Sequence, residues 1–205
     1  MKYLVTAIFR LQLVLAAGCG VRSAHEQLAF PKSTSVHEGL AFPKSTVGAG
    51  APRFLSGDTA EADAGPNDWV MVALKEKNDE PKYLVYDYVR KGEDAAHWSE
   101  LFTYMNTPKP DEPPSDFMNR QKANLEKKCP GARFRLINQS DSQITYESKV
   151  AKCNQLGDQD EIVRVIYGKL NMFRVSYTTH SADMPATRRA EALSLLSGFE
   201  LQNKP

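Results

Sequence analysis

Four runs of β-branched and aromatic residues, separated by short turn signals, set the strongest limit on how this chain folds. Arg133-Phe-Arg-Leu-Ile137, Ile144-Thr-Tyr-Glu-Ser-Lys-Val150, Glu161-Ile-Val-Arg-Val-Ile-Tyr167 and Met172-Phe-Arg-Val-Ser-Tyr177 each read as a strand. In the second run Ile144, Tyr146 and Val150 share one face. Asn138 to Ser142 and Gly168 to Asn171 supply two turns, and Cys153 with Gly157 falls in the third. Together they predict a four-stranded antiparallel meander.

Upstream, Trp69-Val-Met-Val-Ala-Leu74 is a compact apolar run suited to a buried strand, and Tyr83-Leu-Val-Tyr-Asp-Tyr-Val89 is rich in aromatic and β-branched residues. The polar stretch Glu76 to Lys82 between them makes a hairpin the expected arrangement. His97 to Met105 spaces Trp98, Leu101, Phe102 and Met105 at i, i+3, i+4 and i+7, which predicts a helix with one apolar face. Thr107 to Pro114 carries four prolines and reads as an irregular connection. Ser115 is positioned to cap a helix from Asp116 to Lys128, acidic in its first turn and basic in its last, as the helix dipole favours, with Pro130-Gly131 ending it. Asp183 is placed to cap a last helix from Pro185 to Ser197, with Ala186, Ala190, Leu193 and Leu196 as its buried stripe. Phe199-Glu-Leu201 reads as a short closing strand. The expected class over residues 68–205 is α+β, mainly antiparallel sheet flanked by helices.

The end of the chain carries a resemblance. Phe173-Arg-Val-Ser-Tyr177, then the helix, then Leu195-Leu196-Ser-Gly-Phe199-Glu-Leu201 resembles the PsbP-like and DcrB-like α/β sandwich proteins, which pair a final amphipathic helix with a short strand in the pattern Leu-Leu-Ser-Phe. That resemblance implies a non-enzymatic accessory module that binds other proteins, and it brings no functional residues with it.

The N-terminus has the layout of a secretory signal. Lys2 is followed by the apolar runs Tyr3 to Phe9 and Leu13 to Ala17, interrupted by Arg10 and Gln12, and small residues precede Cys19. A spanning helix needs ~20 mostly apolar residues, and this run is shorter and holds an arginine. Ala16-Ala17-Gly18-Cys19 resembles a bacterial lipoprotein signal, with Leu15 one place earlier than the leucine of that family. The resemblance implies cleavage after residue 18, acylation of Cys19, and a membrane held through the N-terminal lipid. Two or three acyl chains, at ~0.8 kcal/mol per buried methylene, anchor firmly where one is marginal. Gly20 after the cysteine implies outer-membrane sorting in a Gram-negative host. An ordinary cleaved signal with a chance cysteine is the alternative.

With Cys19 taken by lipid, Cys129 and Cys153 remain. In an oxidising compartment they form a pair, and the bridge closes a loop worth ~3 kcal/mol in chain entropy. Two free thiols or two metal ligands are the alternatives; no histidine sits at ligand spacing from either, which favours the disulfide.

Residues 19–67 read as a flexible tether in which Gly, Ser, Thr, Ala and Pro dominate. Within it His25-Glu-Gln-Leu-Ala-Phe-Pro-Lys-Ser-Thr34 recurs as His37-Glu-Gly-Leu-Ala-Phe-Pro-Lys-Ser-Thr46, twelve residues on, with only Gln27 and Gly39 differing. Two such units are too few for a solenoid. The repeat is either a duplication that lengthens the tether or a peptide ligand in two copies, with Leu28, Phe30 and Lys32 as its contact residues. A flexible stretch of ~47 residues spans roughly 35–40 Å and reaches ~160 Å when straight.

Charge excludes some partners. With 26 basic and 25 acidic residues the formal net charge is +1, so no basic excess points to nucleic acid. Arg133, Arg135, Lys149, Lys152, Arg164, Lys169 and Arg174 lie on or near the predicted sheet; they form either a basic face for an anionic partner or a solvated face balanced by Glu147, Asp158, Asp160 and Glu161. No phosphate-cradling glycine loop and no Gly-x-Ser-x-Gly elbow occurs. His97 and Glu100 sit three apart with no second ligand pair, so no metal site, cofactor or catalytic residue is assigned. His180, with Ser181 and Asp183 in the same polar loop, is the one place where a hydrolase arrangement is imaginable. The expectation is therefore a lipid-anchored accessory or binding protein of the cell envelope, bound to an envelope protein, with a periplasmic hydrolase and a surface structural or exclusion lipoprotein as alternatives.

Overall fold

The computed structural model describes residues 39–41, 54–55, 68–77 and 83–202. Cys19, the leader before it and the first copy of the repeat lie outside the described residues. Two antiparallel meanders make up the sheet. The first is β3 (Trp69–Lys77), β4 (Tyr83–Arg90) and β5 (Glu100–Pro108). The second is β6 (Arg133–Gln139), β7 (Gln143–Cys153), β8 (Gly157–Tyr167) and β9 (Asn171–Thr179). Helix α1 (Pro114–Lys128) connects them, and β9 returns to pair with β5, joining both meanders into one sheet. The strand order is β2-β3-β4-β5-β9-β8-β7-β6, where β2 (Phe54–Leu55) runs parallel to β3 and every other pair is antiparallel. After β9 come helix α2 (Ala186–Ser197) and β10 (Glu200–Gln202), which pairs antiparallel with β1 (Gly39–Ala41) in a separate two-stranded sheet. The class is α+β, as the residue pattern predicts.

Side chains alternate between faces along a strand, and this alternation places the two helices on opposite sides of β8. Val163, Val165 and Tyr167 pack with Ile144, Tyr146, Met172 and Phe117 of α1. Ile162 and Ile166 point the other way and pack with Phe173, Val175, Tyr177 and with Ala192 and Leu196 of α2. A strand covered on both faces reads as a nearly continuous apolar run, which is why Glu161 to Tyr167 shows so little alternation. The outer end of α1 closes on a smaller cluster of Leu125, Cys129, Val150 and Leu156. There the Sγ atoms of Cys129 and Cys153 stand 2.04 Å apart, disulfide distance, with the Cα atoms 5.3 Å apart. Gly131 at φ +92° turns the chain from the helix end into β6, a conformation that favours glycine. At the edge, β6 carries Arg133 and Arg135 and a register shift between Leu136 and Asn138, devices that discourage pairing with another chain.

Five expectations are corrected. His97 to Met105 is not a helix: residues 100–108 form β5, between β4 and β9. Phe102 and Tyr104 face the α2 side, while Leu101, Thr103 and Met105 face the other. Burial on both faces scatters apolar residues along the strand, and their spacing imitates a helical stripe. Ser115 does not cap α1; Pro113 is the cap residue, Pro114 occupies the first turn, and no side chain bonds the helix end. Asp183 likewise does not cap α2, whose cap residue is Pro185. The buried stripe of α2 is rotated from the expected one: Ala192 and Leu196 are buried and Leu193 and Leu195 partly so, whereas Ala186 and Ala190 are exposed. Finally, two short strands, β1 and β2, fall within the stretch read as linker.

Candidate functional site

The basic residues expected on the sheet do not make one cationic face. Each strand sends alternate side chains to opposite faces, and most of the cations end on carboxylates or carbonyls. On the α1 side Arg174 donates to Glu161 at 2.6 Å, beside Tyr146, whose hydroxyl is pushed up to about 12, chiefly by burial. On the α2 side Arg164 donates to the carbonyls of Leu196 and Ser197 at 2.7 and 2.9 Å, satisfying the last turn of the helix, and to Gln143 at 2.9 Å.

The densest polar arrangement lies where the loop after β9 enters α2. One cross-strand row runs Glu100 on β5, Thr179 on β9, Asp160 on β8 and Lys149 on β7, each opposite the next. Glu147, two residues before Lys149, shares its face. Three of these five are almost fully buried acids: Asp160 at 0 %, Glu147 at 1 % and Glu100 at 6 % exposure. Unpaired charges at that depth are strongly disfavoured, and the fold supplies partners from above. The consecutive arginines of α2 diverge. Arg188 Nε reaches Glu100 at 2.8 Å, and Arg189 Nε reaches Glu147 at 3.2 Å. Arg90 also binds Glu100 while its guanidinium lies 4.1 Å over the Trp69 ring, and Arg135 binds Glu147 from the edge strand. Lys149 Nζ sits 2.9 Å from Asp160, 3.2 Å from Asp183 and 3.8 Å from Glu147.

Protonation follows from these contacts. Burial raises the Glu147 carboxyl, but hydrogen bonds from Arg135 and Arg189 outweigh it and hold the group below the ordinary range. Asp160 is raised, mainly by burial, even though it accepts from the Met184 amide at 2.8 Å and from Lys149. Its Oδ1 makes no hydrogen bond among the described residues. Lys149 loses solvent, which lowers it, yet the surrounding carboxylates raise it on balance. The arrangement is a structural clamp: it fixes the start of α2 to three strands.

The His180 loop assembles no Ser–His–Asp geometry among the described residues. The His180 ring stacks on buried Trp98, with centroids 3.8 Å apart. Ser181 Oγ donates to the backbone carbonyl of Asp183 at 2.9 Å and accepts from its amide, and the Asp183 carboxylate is turned to Lys149. His97 is exposed and pairs with Asp94, Nδ1 to Oδ1 3.2 Å, in the turn before β5. No group of three or more potential metal ligands occurs among the described residues. Arg90, Arg188 and Arg189 are the members of the clamp that the sequence alone does not single out, and Glu100 stands out there only beside His97. The adjacency of two arginines in an otherwise alanine- and leucine-rich helix was the available signal.

No protein-family model matches this chain, and comparison with curated proteins and with solved structures gives no match.

Proposed function

We propose that this protein is a lipid-anchored accessory module of the cell envelope, held to the membrane through Cys19 and acting by binding another envelope protein. One observation carries the compartment: Cys129 and Cys153 stand at disulfide distance across the end of α1 and β7. Structural disulfides persist in oxidising compartments and are rare where thiols are kept reduced, and a chain cut before Cys19 and acylated there is exported to such a place. A binding role suits a domain whose buried carboxylates are engaged by arginine and lysine in structural pairs rather than set toward an open cleft. The likeness of the last helix and strand to PsbP-like and DcrB-like domains points the same way. No helix among the described residues is long and apolar enough to cross a membrane.

The test is the intact mass of the native, membrane-extracted protein, with and without reductant. The expected species begins at Cys19, carries acyl mass and gains two hydrogens on reduction. A chain that begins at Met1, or one without acyl mass, removes the anchor; an unchanged mass on reduction removes the argument for the compartment. Crosslinking in intact envelopes then reads the partner, and a protein that crosslinks to nothing while correctly anchored contradicts the binding role.

A further inference from the structure

The second repeat copy meets the end of the chain. Gly39-Leu40-Ala41 pairs antiparallel with β10, with Gly39 opposite Gln202, Leu40 opposite Leu201 and Ala41 opposite Glu200. β10 is fixed to the domain just before it begins: Phe199 is fully buried and stacks on Phe102, centroids 5.4 Å apart. The strand that β10 accepts therefore joins the tether to the core.

The first copy offers nearly the same strand. Leu28 to Thr34 and Leu40 to Thr46 are identical, and within the paired triplet only Gln27 replaces Gly39. A β-ladder is held by backbone groups, so the same Leu-Ala main chain pairs as well from either copy. Two effects distinguish them. Seating the first copy lengthens the loop to β2 from the 12 residues 42–53 to the 24 residues 30–53. Doubling a loop disfavours closure by roughly threefold. Against that, Gly39 opens β1, and glycine loses more backbone freedom on ordering than a residue with a side chain, which disfavours the second copy by at most the roughly two- to fivefold seen in a strand interior. The two factors oppose each other and partly cancel.

We propose that β10 is a docking strand for either repeat copy, so that Gln27-Leu28-Ala29 and Gly39-Leu40-Ala41 compete for it within one chain. The two seatings differ by twelve residues of chain on the N-terminal side, a difference in reach of ~40 Å when extended. The strand competition stands on the β1–β10 pairing alone. Its consequence for distance from a membrane rests on the anchor at Cys19, and the experiment below reads the competition without it.

A photo-crosslinking amino acid placed at the exposed position 200 of the full chain reports which copy sits beside β10. The two copies are distinguished by mass through Gln27 and Gly39. The native chain is expected to crosslink internally to both, in amounts within about tenfold of each other, as the cancelling factors above require. Leu40→Pro removes a backbone N–H and disfavours the second copy as a strand; the crosslinks are then expected to move to residues 25–34. Crosslinks that vanish in the Leu40→Pro chain, or that reach residues 25–34 only between two molecules, overturn the proposal. So does a native chain in which position 200 crosslinks to neither copy.

Discussion

Lys149 and Asp160 face each other in register across β7 and β8, with Nζ 2.9 Å from Oδ2, directly beneath the loop that leads into α2. Asp160 is fully buried, and the amide of Met184 in that loop donates to the same oxygen at 2.8 Å. The pair thus links the sheet to the helix entry. Removing the lysine leaves Asp160 and Glu147 without their shared ammonium. Lys149→Met is expected to cost about 3 kcal/mol in urea unfolding, the scale for breaking a buried pair from one side. Adding Asp160→Asn, which keeps an acceptor for Met184, is expected to restore at least ~1 kcal/mol of that loss through the coupling between contacting residues. Strict additivity of the two substitutions would contradict the pairing.

Glu147 gives the clamp a pH dependence of known sign. Its carboxyl is lower in the folded chain than the ordinary 4.5, because the hydrogen bonds from Arg135 and Arg189 outweigh burial. A depressed acid contributes stability that is fully present above its unfolded value and is lost as pH falls through the folded one. Thermal unfolding from pH 7 downward is expected to show the native chain losing stability below about pH 4.5. Glu147→Gln begins less stable at pH 7 and loses less over the same range. Parallel curves for the two proteins would show that Glu147 ionises alike folded and unfolded.

His180 titrates with the opposite placement. Its ring covers Trp98, and loss of solvent lowers its pKa from the ordinary 6.5, although contacts with the Asp158 backbone and the Glu93 charge raise it in part. The unfolded chain then binds more protons between the two values, so stability rises with pH through that window and falls as pH drops. An NMR titration of the His180 ring is expected to give a midpoint below 6.5, and His180→Phe, which keeps the stack, is expected to flatten the stability profile there. A midpoint at or above the ordinary value would show that stacking does not desolvate the ring.

The legibility of this chain followed burial. The meander from Arg133 to Tyr177 was readable because β7 still alternates and each turn carries its own residues. The hairpin of β3 and β4 was readable from two aromatic and β-branched runs. β5 was not, because both its faces are covered and Leu101, Phe102 and Met105 fall where a helical stripe would place them. The helix bodies could be located, but not their caps: Pro113 and Pro185 begin α1 and α2, where Ser115 and Asp183 look like better caps on chemistry alone. Three residues such as Gly39–Ala41 have no period at all, and their pairing depends on β10, 161 residues later in sequence from Leu40 to its partner Leu201. The clamp was hidden for a related reason. Glu147, Lys149 and Asp160 alternate as a solvated face would, and only the position of α2 above them buries the two acids and part of the lysine.

Arg164 marks the other end of α2. Its guanidinium, projecting from β8, donates to the carbonyls of Leu196 and Ser197, which are among the last four of the helix; Leu196 also accepts from the Gly198 and Phe199 amides just beyond the helix end. Gly198 follows, then Phe199 seated against Phe102, then β10. The arginine therefore fixes the point at which the chain leaves the helix and turns toward the strand that receives β1. Arg164→Met keeps much of the aliphatic stem but removes the donors, and is expected to cost about 2 kcal/mol, the scale of hydrogen bonds from a charged group. The loss should be local before it is global. Amide exchange is expected to quicken at residues 196–202 with little change in β7 or β8, because the Val163 and Val165 side of the sheet packs against α1 and not against this helix. Uniform acceleration across the sheet, or none at the end of α2, would show that Arg164 does not hold the helix end.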